Sequence, residues 1–404
     1  MRLPGYGWAV ATVVFLGLVL TSGSNQYAFG AFVEPLEAQF GWSRTQINVS
    51  ISLGFLTGLL SPFVGRLVDR VGTRPVMAVS LMMLATSYGL RPLMTELWHW
   101  YALSLLAHAA MPGAAVLPTG RIVGMWFPRT RGRMMGVTMM GANFGGMTMP
   151  LLAAWVISTV SWQAGYGTFA VLAGIVAVVA MVVVRDKPLQ PTPVSVTREP
   201  GAVAPGSVDV GSVREALRTR SFWAMTVAIT MGSFSYHAVL SQIIPHLTNQ
   251  GLTLNQAASY LSVFALFGMV GKIVFGYATE RVPTRYVFMV SLVFQGIGLA
   301  VLTTLANTPA MWAVVWIYGM AFGGMGAIFP ILAQDIFGLR WYGSIYGLVN
   351  LATIFSAVIG PLMTGLVFDN TGTYTLAFLA TIGFYVVGIV ALTMAKPLRP
   401  RGAD

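Results

Sequence analysis

GRLVDRVGTR (65–74) recurs as GYATERVPTR (276–285), with Gly, an acid, Arg, Val, Thr and Arg at matched positions and an offset of 211. The same offset separates Gly132 from Gly343, Gly136 from Gly347 and Pro150 from Pro361, while Pro118 and Pro330 lie 212 apart. Two related halves in one chain are the mark of a transporter built from parallel repeats about an axis along the membrane normal. Between the halves runs PLQPTPVSVTREPGAVAPGSVDVG, a Pro, Gly, Val and Ser mixture that cannot bury a core and reads as a flexible linker. Its end, VREALRTR (213–220), reads as a short amphipathic helix on a membrane surface. Three parts follow: an N-terminal six-helix bundle (1–184), a linker (185–220) and a C-terminal six-helix bundle (221–404).

Composition agrees with that division. Hydrophobic residues make up 56% of the 404 and charged residues 9%, against about 25% charged in soluble domains. The chain therefore reads as an all-α membrane protein with twelve transmembrane helices. Apolar runs and their breakers place these at 8–33, 45–65, 75–94, 99–122, 132–157, 162–184, 221–246, 254–279, 284–305, 309–334, 341–367 and 373–395. The first run, from Trp8 past Leu20 toward Phe32, is too long for a signal peptide and is expected to be retained. Ser43 to Gln46 and Thr253 to Gln256 have capping-box spacing and mark helix starts.

Of the 23 Lys and Arg, all but Arg44, Arg91 and Lys272 fall on loops and helix ends of one side. The positive-inside rule then puts both termini and the linker in the cytoplasm, and the expected location is the plasma membrane, multi-pass. The same bias accounts for the net charge of +11 without nucleic acid. Cysteine is absent, which excludes disulfides, thiolate metal sites and cysteine nucleophiles. The four histidines lack zinc-ligand spacing, and no nucleophile elbow or phosphate loop is visible. No metal, cofactor or enzymatic activity is expected.

On the strength of the two loop motifs, the chain resembles the major facilitator superfamily over essentially its full length. The resemblance implies that fold, two bundles that work as a monomer, and a gating role for Gly65, Asp69, Arg70, Arg74, Glu280 and Arg281. A carboxylate such as Asp69 near a helix N-terminus accepts hydrogen bonds there and pairs with arginines. A narrower resemblance is to the monocarboxylate transporter and oxalate:formate antiporter families. It is carried by YAFGAFVEPLEAQFGWSRTQI (27–47), by Trp126-Phe127 with Arg129, Arg131, Gly132, Arg133 and Gly136, by GLVFDNTGTY (365–374), and by Lys272 ahead of Gly276. Those families hold a substrate-binding cation, usually Arg, at the Lys272 position. Small carboxylates are thus the implied substrates. The chain departs from the pattern in having Lys for Arg, Gly268 for an acid, Ala31 for a first-helix Lys, and no cation in 349–360. One cation favours a single carboxylate.

Lys272 is the only charge in 254–279. A lysine deep in such a helix costs about 2.5–3.5 kcal/mol, so it either snorkels to the headgroups or serves as counter-ion to an anionic guest. Asn25, Gln26 and Tyr27 interrupt an apolar helix and face either a cavity, with Tyr27 as hydroxyl donor, or a neighbouring helix. Asn143 and Asn350 stand on the same terms in helices five and eleven. Imidazole titrates near pH 6.5, so His108 or His237 could carry a coupling proton, a load that otherwise falls to Lys272 or travels with the substrate; a histidine bonded to a neighbouring backbone is an equal reading. Gly141, Gly145 and Gly146 read as helix packing. Arg91 reads as snorkelling, and Arg121 as a topology charge or else a gate, the former being preferred. The expected function is secondary active transport of small organic carboxylates, by proton symport or anion exchange with alternating access. Efflux of drug-like or hydrophobic compounds is the nearest rival, and a transporter-like sensor is the rival of another class.

Overall fold

The computed structural model describes residues 5–186, 211–240, 242–252, 254–304 and 309–395. Every regular element among these is helical, as the bilayer demands of a chain that must satisfy its backbone polar groups internally. We number the long helices α1 (Tyr6–Tyr27), α2 (Gln46–Val71), α3 (Thr73–Leu93), α4 (Leu97–Trp126), α5 (Arg131–Thr159) and α6 (Trp162–Val183). In α7, Arg220–Phe234 runs through a π turn, Ser235–Val239, toward Ile243–Asn249. Then come α8 (Leu254–Ala278), α9 (Thr284–Thr304), α10 (Pro309–Phe337), α11 (Tyr342–Thr371) and α12 (Thr375–Met394). Among the described residues, eleven stretches are long and apolar enough to cross a membrane.

Several boundaries differ from expectation: the second span runs on to Val71 rather than 65, and the fourth and eleventh end four residues later than read. The first helix does not stop near residue 33: after a break at Ala28–Phe29 the chain continues as a helix over Gly30–Phe40. That extension, EPLEAQF, is too polar for hydropathy to count, and it ends only where Gly41 turns left-handed at φ 68°. The surface helix expected over 213–220 covers only Val213–Leu217, because Thr219 already caps the start of α7 by accepting from the Phe222 N–H at 3.1 Å. The capping box at Ser43 and Gln46 forms as read. Residues 187–210 of the linker, and Thr253 of the second box, lie outside the described residues.

By contacts the chain forms two compact units. The first comprises Met1–Pro128, Val137–Val194 and Tyr342–Leu351, and the second Arg129–Gly136, Ser195–Trp341 and Ala352–Asp404. The first therefore holds the opening turns of α11, and the second those of α5.

Within the first unit, glycines let α2 and α11 meet backbone to backbone. A Cβ built on Gly343 falls against the Gly65 carbonyl, and one on Gly347 against that of Ser61. This contact brings Asp69 to the N-terminus of α11, where it accepts from the N–H groups of Gly343 (2.9 Å) and Ser344 (2.7 Å). Those are donors that a helix start leaves unsatisfied. Arg121 donates to the same carboxylate at 3.0 Å and to the Val68 carbonyl at 2.9 Å. It is thus an ion-pair partner inside the fold rather than a free topology charge. Arg91 is also placed differently from expectation. At 4% exposure it does not snorkel, and its guanidinium lies 4.5 Å from the rings of Trp100 and Tyr166 and 5.1 Å from Tyr88. Three aromatic faces offset part of the cost of a buried cation, at about 2 kcal/mol or more for a desolvated contact.

The second unit repeats the device. Gly132 and Gly276 press on one another's carbonyls, and a Cβ at Gly136 would sit inside contact distance of the Lys272 carbonyl. Glu280, 211 residues after Asp69, accepts from the Arg133 N–H at 2.9 Å and from its Nε at 2.9 Å. Asp335 pairs with Arg131 and accepts from the Thr284 hydroxyl.

Two measurements check this packing. Gly136→Val is expected to lower the stability of the purified protein by about 1–3 kcal/mol through overpacking, seen as a fall in melting midpoint. Gly167→Ala, whose Cβ meets nothing within 4 Å, is expected to leave the midpoint in place. Asp69→Ala strips the α11 start and Arg121 of their acceptor and is expected to cost about 3–5 kcal/mol, again read as melting midpoint.

Candidate functional site

Lys272 is fixed by glycines on either side. Gly136 holds its backbone, and on α10 the absent side chain of Gly326 leaves room for its stem, whose Cε lies 3.3 Å from where a Cβ would stand. Close contacts of Gly271 with the Met320 carbonyl, Gly319 with the Phe264 carbonyl and Gly323 with Gly268 draw α8 and α10 together over several turns. Gly268 is thus held against another backbone. At 7% exposure the lysine is buried within the unit rather than laid along the lipid surface. Of the helix-ten aromatics, Tyr318 is fully buried, Phe322 packs tilted against Tyr236 with centroids 4.4 Å apart, and Trp316 is exposed.

His237 lies in the π turn of α7, half-buried, with its Cβ 3.2 Å from where a Cβ at Gly360 would be. In the first unit Asn25, Gln26 and Tyr27 share the π turn Gly23–Tyr27, and Gln26 and Tyr27 are exposed. The Tyr27 ring packs over Gly146, three residues along α5 from the half-buried Asn143. Gly141 and Gly145 seat α5 on the carbonyls of Phe15 and Val19, the packing role read for them. Asn350 is half-buried on α11. His108 makes its contacts on α2. Its Nε2 donates to the Ser50 carbonyl at 3.1 Å, its ring lies beside Gly54, and its own carbonyl accepts from Thr57, all on α2. That is the backbone-bonded histidine of the alternative reading.

Among the motif residues, Gly65, Asp69 and Glu280 sit in the helix-end contacts. Arg70 is exposed. Arg74 donates from Nε to the Met181 carbonyl, and Asp186 accepts from the Thr73 N–H at 2.5 Å. Arg281 lies over the Tyr277 ring at 4.8 Å.

Sequence reasoning missed the π turns. Ala28 N–H bonds the Gly23 carbonyl at 2.8 Å and Leu240 N–H that of Ser235 at 3.0 Å, each five residues back rather than four. A third such turn, Pro112–Val116, follows from the proline at its start. The available signal was the recurrence of Ser24 and Ser235 at the repeat offset, each beside polar residues in an apolar helix.

A family model described as Major Facilitator Superfamily matches residues 14–353. Monocarboxylate transporter 13 of Bos taurus is 25% identical over 391 residues, covering 95% of this chain and 88% of that one. The oxalate:formate antiporter of Oxalobacter formigenes is 26% identical over 411 residues, covering 98% and 94%. Among solved structures, the MFS transporter FucP in the outward conformation aligns with a TM-score of 0.75 at 15% identity, over 98% of this chain and 99% of that one. The human organic anion transporter MFSD10 aligns at 0.70 and 16%, over 96% and 99%. With a matched model spanning most of its length and an all-helical fold of the same kind, this chain belongs to the major facilitator superfamily of membrane transporters.

Proposed function

We propose that the protein carries small organic carboxylates across the plasma membrane by alternating access, with both termini cytoplasmic and one chain as the working unit. The observation that carries the reading is Lys272: a cation deep in α8, buried, with glycine beside its stem. A charge in hydrocarbon costs about 2.5–3.5 kcal/mol and is retained where it meets a partner or a substrate. The names of the relatives, a monocarboxylate transporter and an oxalate:formate antiporter, support the same substrate class.

In this reading the carboxylate pairs with the Lys272 ammonium, and Gln26, Tyr27, Asn143, His237 and Asn350 supply hydrogen bonds. An ammonium binds as a point charge rather than a bidentate clamp, so orientation falls to the neutral groups. Pairing removes the net charge that opposes reorientation through a low-dielectric centre. Exchange of one anion for another needs nothing more. Symport needs a proton carrier, for which His237, Lys272 and His108, the last bonded to the Ser50 carbonyl, are the candidates, unless the proton travels with the substrate.

In proteoliposomes, Lys272→Gln is expected to abolish uptake of labelled lactate, pyruvate, formate or oxalate while the melting midpoint stays within a few degrees of the unaltered protein. Retained uptake sinks the counter-ion role. Amides or esters of the accepted acid are expected not to compete; strong competition by uncharged analogues would favour a hydrophobic-compound exporter instead. Uptake that follows an imposed pH gradient identifies symport, and uptake that follows only an internal counter-anion identifies exchange.

A further inference from the structure

The π turns of α1 and α7 begin 212 residues apart, at Gly23 and Ser235. A π turn gives up regular helix bonding and recurs mostly at functional sites. Each of these two is anchored by a serine at the repeat offset of 211. Ser24 Oγ donates to the Leu20 carbonyl at 2.5 Å, so its 2.8 Å contact with Tyr88 is one in which the tyrosine hydroxyl donates. Ser235 Oγ donates to Gln295 Oε1 at 2.6 Å, so Tyr385, also at 2.6 Å, donates to it. Both serines thus spend their proton on a carbonyl oxygen and accept from a tyrosine of another helix in the same unit.

The partners are themselves fixed. Tyr88 is fully buried beneath Arg91, and Gln295 donates onward to Ser291, which donates to the Ala321 carbonyl. Of the following residues of each turn, Gln26 and Tyr27 are exposed, and Tyr236 and His237 half-buried. Each turn has one face pinned in the core and one bearing the candidate polar groups. Were a turn to anneal to regular helix, residues on one side of it would rotate by about 100°.

We propose that Ser24 with Tyr88, and Ser235 with Tyr385, are matched positioning pairs that hold these turns in register and so aim Gln26, Tyr27 and His237 at the substrate. The last step rests on the carboxylate reading; the register-holding does not. The pairs touch no reacting atom, and act through the turns they fix.

The absence of cysteine makes the test direct. Gln26→Cys and His237→Cys are introduced singly, and the rate of modification by a water-soluble thiol reagent is followed in the purified protein. Tyr88→Phe is expected to change the rate at position 26 by about fivefold, the worth of one net hydrogen bond, and to leave position 237 unchanged. Ser235→Ala is expected to do the reverse. Ser24→Thr and Ser235→Thr, which keep the hydroxyl, are expected to restore the unaltered rates. Unchanged rates in the pin variants overturn the proposal, and so does an equal change at both positions, which marks general loosening. Labelling needs no substrate, so a shift at one position together with failed carboxylate uptake by the unaltered protein would remove the substrate reading and leave the pins standing.

Discussion

Close approach of helix backbones through glycine is the constraint on which the rest of this structure depends. Lipid offers apolar helices no hydrophobic reason to associate, so association comes from packing and polar contact. Gly65 on Gly343 and Gly132 on Gly276 bring helices to the separation at which side chains at their ends can bond. The same glycines place the functional candidate. Lys272 and Ser61 stand 211 residues apart, and each has its carbonyl covered by a glycine, Gly136 and Gly347 respectively. The lysine therefore occupies a backbone position packed in the same way in both halves, and its side chain is what differs.

The helix-end contacts show how far two copies of one device have drifted. Asp69, its side chain 1% exposed, takes two backbone donors and a guanidinium from a third helix. Glu280 takes both its bonds from Arg133, whose side chain is 49% exposed. An exposed pair is worth about 0–1 kcal/mol, whereas breaking a buried one costs several. The first contact accordingly dominates, and in the second unit part of the work passes to Asp335, which binds both Arg131 and Thr284. Loss of symmetry in strength with retention of symmetry in place is what a repeat under unequal demands would show.

Most of the architecture was legible because its signals are local or periodic. Apolar runs locate the spans, the repeat offset locates matched glycines and acids, and the Ser43 box marks a helix start that the structure contains. What escaped is set by tertiary contact. Nothing near GLRPLM (89–94) tells that Arg91 will meet Trp100 and Tyr166, since those rings arrive from α4 and α6. Arg121 looked like one more topology charge because its partner lies 52 residues away. The π turns leave no periodic signature because the helices that carry them are apolar nearly all round, so the phase shift of about 100° from one extra residue has no apolar stripe to break. For the site residues the sequence could name polar groups in apolar helices, but only geometry separates His108, bonded to the α2 backbone, from Tyr27 and Gln26, which are open.

Two deeply buried cations remain, and their surroundings differ in a way that bears on function. Arg91 is flat, and flat rings close over it on Tyr88, Trp100 and Tyr166. A guanidinium suits such a stack, which an ammonium fits poorly. Lys272 has the opposite setting: beside its stem stands Gly326, where a larger residue would fill the space the stem now uses. A cation closed in by aromatic faces is stabilised once and for all, and holds a bundle together. A cation bordered by glycine has room for a flexible stem and a compact charge, with no flat face closing over it. On the proposed reading, guanidinium at the first place and ammonium at the second divide the labour, with structure at Arg91 and the guest at Lys272.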